Sequence, residues 1–222
     1  NNYSIYSNGA AQSYFAGNVG VGTTSPDRKL HAEVDDATTS AVSQVYRVTH
    51  TTTGTPANGI GVGMEFEVET AAANNEVGAT IEVVAIDTTA TSEDFALDFK
   101  LMTAGAAAAT KVRIDENGNL GIGTTSFGAS MVSGFSIKNG TAPSGNVTDA
   151  FQHYAADQAA GNSAPHWRTE NGDVVKLYKT GTYTPTNVTA DRSYDANLTT
   201  TDELADVLGT LIADLQLLGV IG

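Results

Sequence analysis

Three acidic side chains at alternating positions form the arrangement in this chain that comes nearest to a catalytic site. Glu65, Glu67 and Glu69 belong to a run of alternating apolar and acidic residues, and this alternation places them on one face of a strand. A pair of carboxylates can hydrolyse a glycosidic bond, one protonating the leaving oxygen while the other attacks or activates water. Acids at this spacing are also typical of the solvent-facing side of a sheet. The second interpretation is favoured, so we expect no catalytic residue and no enzymatic activity.

Other residue types that support catalysis or ligand binding are missing or scattered. The chain has no cysteine, which excludes disulfides, zinc–thiolate sites, iron–sulfur clusters and thiol nucleophiles. The segment 115–119 lacks the full pattern of a calcium-binding loop and favours a hairpin turn. Serine-hydrolase, zinc-protease and phosphate-loop motifs do not occur. We therefore expect no cofactor and no metal, and surface or packing roles for the four histidines, which are His31, His50, His153 and His166.

Aromatic residues near the single tryptophan form a candidate ligand-binding group. A flat platform on which sugar rings stack would be made by Tyr154, His166, Trp167 and Tyr178. A small hydrophobic core built around Trp167 is the other interpretation of the same residues, and it is the favoured one.

The charge balance narrows the classes of partner. Eleven Lys and Arg against 25 Asp and Glu leave a formal net charge of −14 over 222 residues. A surface this acidic disfavours binding to nucleic acid and to anionic membranes. The longest apolar run is far shorter than the roughly 20 residues that cross a bilayer, so no membrane insertion is expected.

A short glycine-rich segment occurs twice along the chain. Residues 17–25 and 118–126 both follow the pattern Gly-Asn-aliphatic-Gly-aliphatic-Gly-Thr-Thr-Ser. Such a strand cannot bury its apolar face alone, so we expect other copies of the chain to cover it, with the glycines allowing a neighbouring backbone to approach. The aliphatic residues that alternation places on one face are Val19 and Val21 in the first repeat, and Leu120 and Ile122 in the second.

The C-terminal segment predicts a helix with one leucine-rich face. Thr200 and Glu203 fit a capping box at its start, and Gly219 is the expected stop. The polar linker before the helix favours association with other copies, although the same face would also fit against its own chain. Leucines at spacings of four and three form a coiled-coil seam that two further residues widen, which gives Leu204, Val207, Leu208, Leu211, Ile212, Leu215 and Leu218 as self-association residues.

The segments between these features predict short β domains. Alternating runs and turn signals indicate about five antiparallel strands over residues 38–115, including one over 42–49, in a small sandwich or barrel. A hairpin is predicted around 166–178, and one or two helical turns over 148–160. The expected order is an N-terminal fibre segment (1–27), a central antiparallel β domain (28–117), the second repeat (118–127), a small β domain (128–180), a linker (181–199) and the C-terminal coiled-coil helix (200–222).

The first repeat resembles a known family. Gly17 to Pro26, followed by Lys29, Leu30 and His31, resembles the repeated segment of bacteriophage tail-fibre proteins and related trimeric fibre proteins. Segments similar to domains of viral structural proteins extend over 59–114, 165–178 and 182–216.

This resemblance implies both an architecture and a function. It implies a mostly β, elongated, parallel homotrimer, and the number three comes from the family because Leu at both seam positions does not choose the strand number. It also implies a non-enzymatic subunit of a virion fibre, in the tail or elsewhere on the particle, that contacts other virion proteins and a host-surface glycan or protein. Two alternatives stay open: a bacterial trimeric surface adhesin or extracellular filament subunit, and a fibre-borne polysaccharide depolymerase.

Overall fold

The computed structural model describes residues 15–71, 73–177, 181, 183–195 and 197–218. Over these residues the chain is mostly β with one C-terminal helix, as the sequence predicts. The strands form three open sheets, and none closes into a barrel. The elements are β1 (Val19–Val21), β2 (Leu30–Ala32), β3 (Gly61–Glu69), β4 (Asn75–Asp87), β5 (Asp94–Thr103), β6 (Ala106–Ile114), β7 (Leu120–Ile122), β8 (Phe135–Ile137), β9 (Gln152–Ala159), β10 (Asn162–Arg168), β11 (Val174–Lys176) and α1 (Thr201–Leu217).

The largest sheet contains six strands in chain order, from β3 to β8. Neighbouring strands are antiparallel from β3 to β7, and β8 runs parallel to β7. Short turns favour this order: β5 and β6 join through Ala104 and Gly105, which both have positive φ, as a two-residue hairpin turn requires. The expected sandwich or barrel is therefore wrong, because consecutive hairpins extend one layer and do not fold it over.

The two glycine-rich repeats adopt the same local structure. Strand β1 pairs in parallel with β2, and β7 pairs in parallel with β8. In each repeat the Ser N–H donates to the first Thr hydroxyl, at 3.3 Å in the first and 3.1 Å in the second. A side chain at Gly20 would collide with the Thr23 carbonyl, and one at Gly121 with the Thr124 carbonyl. In each repeat the glycine thus gives room to the backbone of the chain's own following turn.

Two local predictions are wrong. Residues 42–49 form no strand: their apolar side chains are exposed, and no neighbouring strand pairs with them. Residues 152–159 form strand β9, and not helical turns, because this segment pairs with β10 along its whole length. The predicted hairpin after it is confirmed, since β10 and β11 are antiparallel and Gly172 turns between them with φ of 93°. Both errors concern segments whose structure depends on strand pairing, which β9 finds in the adjacent β10 and residues 42–49 do not find.

A single chain has almost no apolar core. Among the described residues, the buried apolar side chains are those of Ala85, Ala96 and Ala164. The chain exposes 16748 Å², whereas a compact monomer of 22.9 kDa exposes about 9,600 Å². Large apolar side chains are instead exposed on the six-stranded sheet and on α1.

Candidate functional site

Helix α1 is covered on one side by the segment that precedes it, residues 183–195, here called the strap. The Thr189 N–H donates to the Asp206 carboxylate at 2.9 Å, and the Asp191 N–H donates to the Thr210 hydroxyl at 2.9 Å. Thr210 is buried as a result. The predicted linker is therefore docked along the helix and does not hang free.

Close packing and an ion pair also hold the strap against α1. Gly209 leaves room for Val188, since a side chain at that position would meet the Val188 methyl groups. Arg192 makes two hydrogen bonds to Asp214, with Nε at 2.9 Å from Oδ2. The hydrogen bonds from Arg192 lower the pKa of Asp214, and those same bonds raise the pKa of Arg192. This ion pair is exposed, so water and salt screen it and it adds little to the docking.

The opposite side of α1 carries the leucine seam and is open. At 3.6 residues per turn, the strap-contacting residues Asp206, Thr210 and Asp214 lie across the helix from Leu204 and Leu208. The seam leucines stay exposed by 49% at Leu204, 55% at Leu208, 52% at Leu211 and 74% at Leu218. Leu215, the remaining seam leucine, is half-buried, as are Val207 and Ile212 at the margins of the seam. We call this side, made by the seven predicted seam residues, the leucine face.

The start of α1 follows its sequence signal. The Glu203 N–H donates to the Thr200 hydroxyl at 3.3 Å, and the Thr200 N–H donates to the Glu203 carboxylate at 3.2 Å. This capping box satisfies two backbone donors that a helix start leaves without partners. The predicted stop, Gly219, lies outside the described residues.

The aliphatic residues of the second repeat belong to a much larger apolar surface, here called the apolar face. Cross-strand pairing aligns apolar side chains in two rows across all six strands. One row is Met64, Ile81, Phe99, Val112, Ile122 and Ile137, and the other is Val62, Val83, Leu97, Ile114, Leu120 and Phe135. Alternation within the separate strands signals this face, but the alignment of the rows depends on registers that one sequence does not reveal.

In the first repeat, the corresponding residues lie in the two-stranded sheet. Val19 is half-buried and Val21 is 57% exposed. They pair with Leu30 and Ala32 of β2, of which Leu30 is 61% exposed. The structure therefore places the repeat residues in two separate sheets with uncovered apolar side chains.

The other side of the six-stranded sheet, here called the polar face, is internally satisfied. Asp98 is 2% exposed and accepts two hydrogen bonds from Arg113, each 2.7 Å long. Lys100 Nζ lies 2.6 Å from Glu82, which also accepts a bond from the Thr80 hydroxyl at 2.7 Å. Each buried charge on this face thus has a partner, as buried charges require.

The pKa values of these groups follow from the pairing. Burial of Asp98 acts to raise its pKa, but the hydrogen bonds and the charge of Arg113 outweigh burial and the pKa is lowered. The hydrogen bond from Lys100 likewise lowers the pKa of Glu82. Both carboxylates are held in the ionised form that their cationic partners require.

The three alternating acids are exposed along β3 at the edge of the sheet. Glu65 borders an open cavity of about 680 Å³ between β3, β4 and residues 50–60, and Glu82 lies at the same cavity. Glu67 and Glu69 do not line it. A carboxylate pair at this cavity would consist of Glu65 and Glu82, and Glu82 is already bound to Lys100.

The three described residues of the predicted aromatic platform, Tyr154, His166 and Trp167, are not brought onto one surface. Trp167 stacks on His153 with centroids 5.1 Å apart, while Tyr154 stacks on His166 at 5.3 Å. Each pair joins directly opposite residues of β9 and β10, and consecutive positions of a strand face opposite sides. His166 is buried and its Nδ1 lies 2.8 Å from the Ala164 carbonyl. Tyr178 lies outside the described residues.

The part of the chain that the structure describes shows no group of three or more His, Asp or Glu side chains arranged to hold a metal ion. Its one helix is too short and too polar to cross a membrane. Comparison with protein-family models gave no match, and comparison with curated proteins gave none either. The likeness to phage fibres rests on the sequence segments named above.

Proposed function

We propose that the chain is a non-enzymatic structural subunit of a homotrimeric phage virion fibre, in the tail, that contributes to attachment to the host surface. The observation that carries this proposal is the leucine face of α1, which is open while the strap covers the opposite side. The strap contacts the side of α1 that carries small and polar residues, and it does not cover the seam leucines. The apolar side of the helix is therefore available to other copies of the chain.

The energetics favour self-association through this face. An isolated helix of 17 residues is marginal in water, because most helix stability comes from tertiary packing. Burying a leucine side chain completely contributes about 1.5–3 kcal/mol, and the leucine face carries five leucines in coiled-coil spacing. The sequence resemblance to trimeric fibres supplies the number three.

Attachment to the host follows from the same architecture. Three parallel copies in each fibre, and several fibres on each particle, turn weak contacts with a host glycan or protein into avidity. The net charge of −14 disfavours contact with nucleic acid. Other virion proteins would hold the fibre on the particle.

Immunoelectron microscopy tests the location. Antibodies against the purified protein should label the tails of phage particles that have been separated from cells, and their Fab fragments should block adsorption to the host. Labelling confined to bacterial cell surfaces would contradict a virion location and support the adhesin alternative.

A capsule-degradation assay tests the non-enzymatic part. The purified protein should release no reducing sugar from host capsular polysaccharide, with a known depolymerase as positive control. Release that the variant Glu65→Gln abolishes, and the variant Glu67→Gln does not, would contradict the proposal and place the activity at the cavity beside Glu82.

A further inference from the structure

The apolar face of the six-stranded sheet is uncovered in the single chain. Of the twelve side chains in its two rows, seven are exposed, from 36% at Leu120 to 51% at Phe135, and the other five, which are Val62, Ile81, Leu97, Val112 and Ile137, are half-buried. Phe95 pairs with Ala85 on the same face and is 52% exposed. Both complete rows that cross the six strands contain only aliphatic and aromatic residues. An antiparallel sheet normally packs its apolar side on a core and leaves its polar side to water, and here the apolar side has no such cover from the described residues.

The polar face of the same sheet does not need a partner to satisfy its buried charges. Asp98 and Arg113, and Glu82 and Lys100, satisfy one another on that side. Their bonds run across neighbouring strands and leave no charged group that needs an outside partner. The side of the sheet that lacks a partner is therefore the apolar one.

The exposed area matches that of a specific interface. The large side chains of this face that are exposed by more than a third average about 44% exposure, and they are Met64, Phe66, Val83, Phe95, Phe99, Leu101, Ile114, Leu120, Ile122 and Phe135. At roughly 150–200 Å² for each full side chain, the lower part of the aromatic range, they present about 650–900 Å². Each partner in a standard protein interface contributes about 800 Å². Continuous apolar patches on soluble monomers rarely exceed a few hundred Å².

A second copy of the same chain fits this face better than any other occupant. The face carries no charge, so two chains that are each strongly acidic meet there without placing like charges in contact. The leucine face of α1 is a second uncovered apolar surface of a different shape. One partner that covers both must itself have a sheet face and a helix face, and another copy of this chain has both.

We infer that the apolar face is a second self-association surface, through which the six-stranded sheets of neighbouring copies pack against one another. The inference rests on the self-association in the proposed function and names the surface that extends it beyond α1. Leu120 and Ile122, whose face the sequence predicts to be covered by other copies, are the β7 part of this interface.

Spin labels on single cysteines test the inference, because the chain has no native cysteine. With one label per chain, any dipolar coupling arises between copies. Packed sheets lie about 10 Å apart, so labels at Phe99→Cys or at Ile122→Cys should couple at short distance. The matched control is Glu67→Cys, on the other side of the same sheet, where the distance between copies should be clearly longer. A label at Ala205→Cys, exposed on α1 beside the leucine face, reports helix association separately.

A charge on the apolar face provides an independent check. Phe95→Glu should abolish the short distance at Ile122→Cys, whereas Val42→Glu, at a position 83% exposed outside the sheet, should preserve it. Coupling at Ala205→Cys without coupling at Phe99→Cys and Ile122→Cys would overturn the inference and leave helix association standing. Loss of coupling at all three positions would overturn both the inference and the proposed self-association.

Discussion

Asp98 is almost fully buried on the polar face, and its two hydrogen bonds from Arg113 join the central strands β5 and β6. Removing either partner alone would leave the other as an uncompensated buried charge, which destabilises a fold. Glycines act at the same scale. Gly20 and Gly121 have no substitute, since the carbonyl of the following turn occupies the space where a side chain would lie.

We expect Asp98→Asn to destabilise the sheet by about 3 kcal/mol at pH 7, because it leaves the Arg113 charge without its partner. The folded pKa of Asp98 is lowered from 3.8, so the ionised pair stabilises the fold above that value and the stabilisation is lost as pH falls through the folded pKa. Urea unfolding at pH 7 and below pH 3.8 measures both effects.

The difference between Asp98→Asn and the parent chain should therefore shrink at the lower pH. Glu67→Gln, an exposed carboxyl on the same sheet, serves as control and should stay within about 0.5 kcal/mol. An equal destabilisation at both pH values would show that the ion pair is not its source.

Gly121→Val and Gly20→Val should each destabilise their repeat by about 1–3 kcal/mol, as forced overpacking does. Valine favours a strand more than glycine does, so strand propensity alone would predict that both variants are stabilised. The melting temperatures of both variants distinguish these two expectations. Gly128→Val is the control, because a side chain at Gly128 would meet open space. If all three variants melt alike, the turn carbonyls do not restrict these positions.

At the scale of elements, sequence reasoning succeeds where local signals suffice. The capping box of Thr200 and Glu203 predicts the start of α1, and β10 with β11 follows from its turn residues. It fails for residues 42–49, which have the composition of a strand but pair with no other strand. It also fails for β9, whose extended structure depends on its pairing with β10. The docking of the strap escapes prediction for the same reason: contacts between Val188 and Gly209 are tertiary and have no period in the sequence.

Gly209→Ala should weaken strap docking, even though Ala favours a helix by about 1 kcal/mol over Gly. The added methyl group would collide with Val188. Hydrogen exchange at the Asp191 amide, which donates to Thr210, should accelerate. Adding Val188→Ala should remove the collision and reveal the propensity gain as a higher melting temperature. A Gly209→Ala variant that is stabilised without this second change would contradict the packing of the strap.

Leu211→Asp should disrupt self-association, because it places an unpaired carboxylate in the apolar contact between helices at several kcal/mol per site. The matched control is Leu217→Asp on the same helix, at a position 88% exposed and off the leucine face. Sedimentation should show a smaller assembly for Leu211→Asp alone, with the circular dichroism of the sheets retained. Equal sedimentation of the two variants would mean that the leucine face contacts something other than another copy.

At the scale of the whole molecule, the described residues form regular strands, turns and a capped helix, but they bury few apolar side chains within one chain. The buried carboxylate of Asp98 is paired with Arg113, while many of the largest apolar side chains face outward on the sheet and on α1. Composition alone does not reveal this, because the fraction of apolar residues is the same whether a chain buries them internally or against copies of itself.

The assembly in solution should be a homotrimer with a mass near three times 22.9 kDa. The two apolar surfaces require more than one copy, and the number three rests on the resemblance of residues 17–31 to trimeric fibres. Light scattering coupled to size exclusion measures the mass. A double variant, Leu211→Asp with Phe95→Glu, should be monomeric, whereas Leu217→Asp with Val42→Glu, which adds the same two charges, should remain trimeric. A stable dimer or tetramer would retain self-association and reject the trimer, and a parent chain that is monomeric at micromolar concentration would reject self-association altogether.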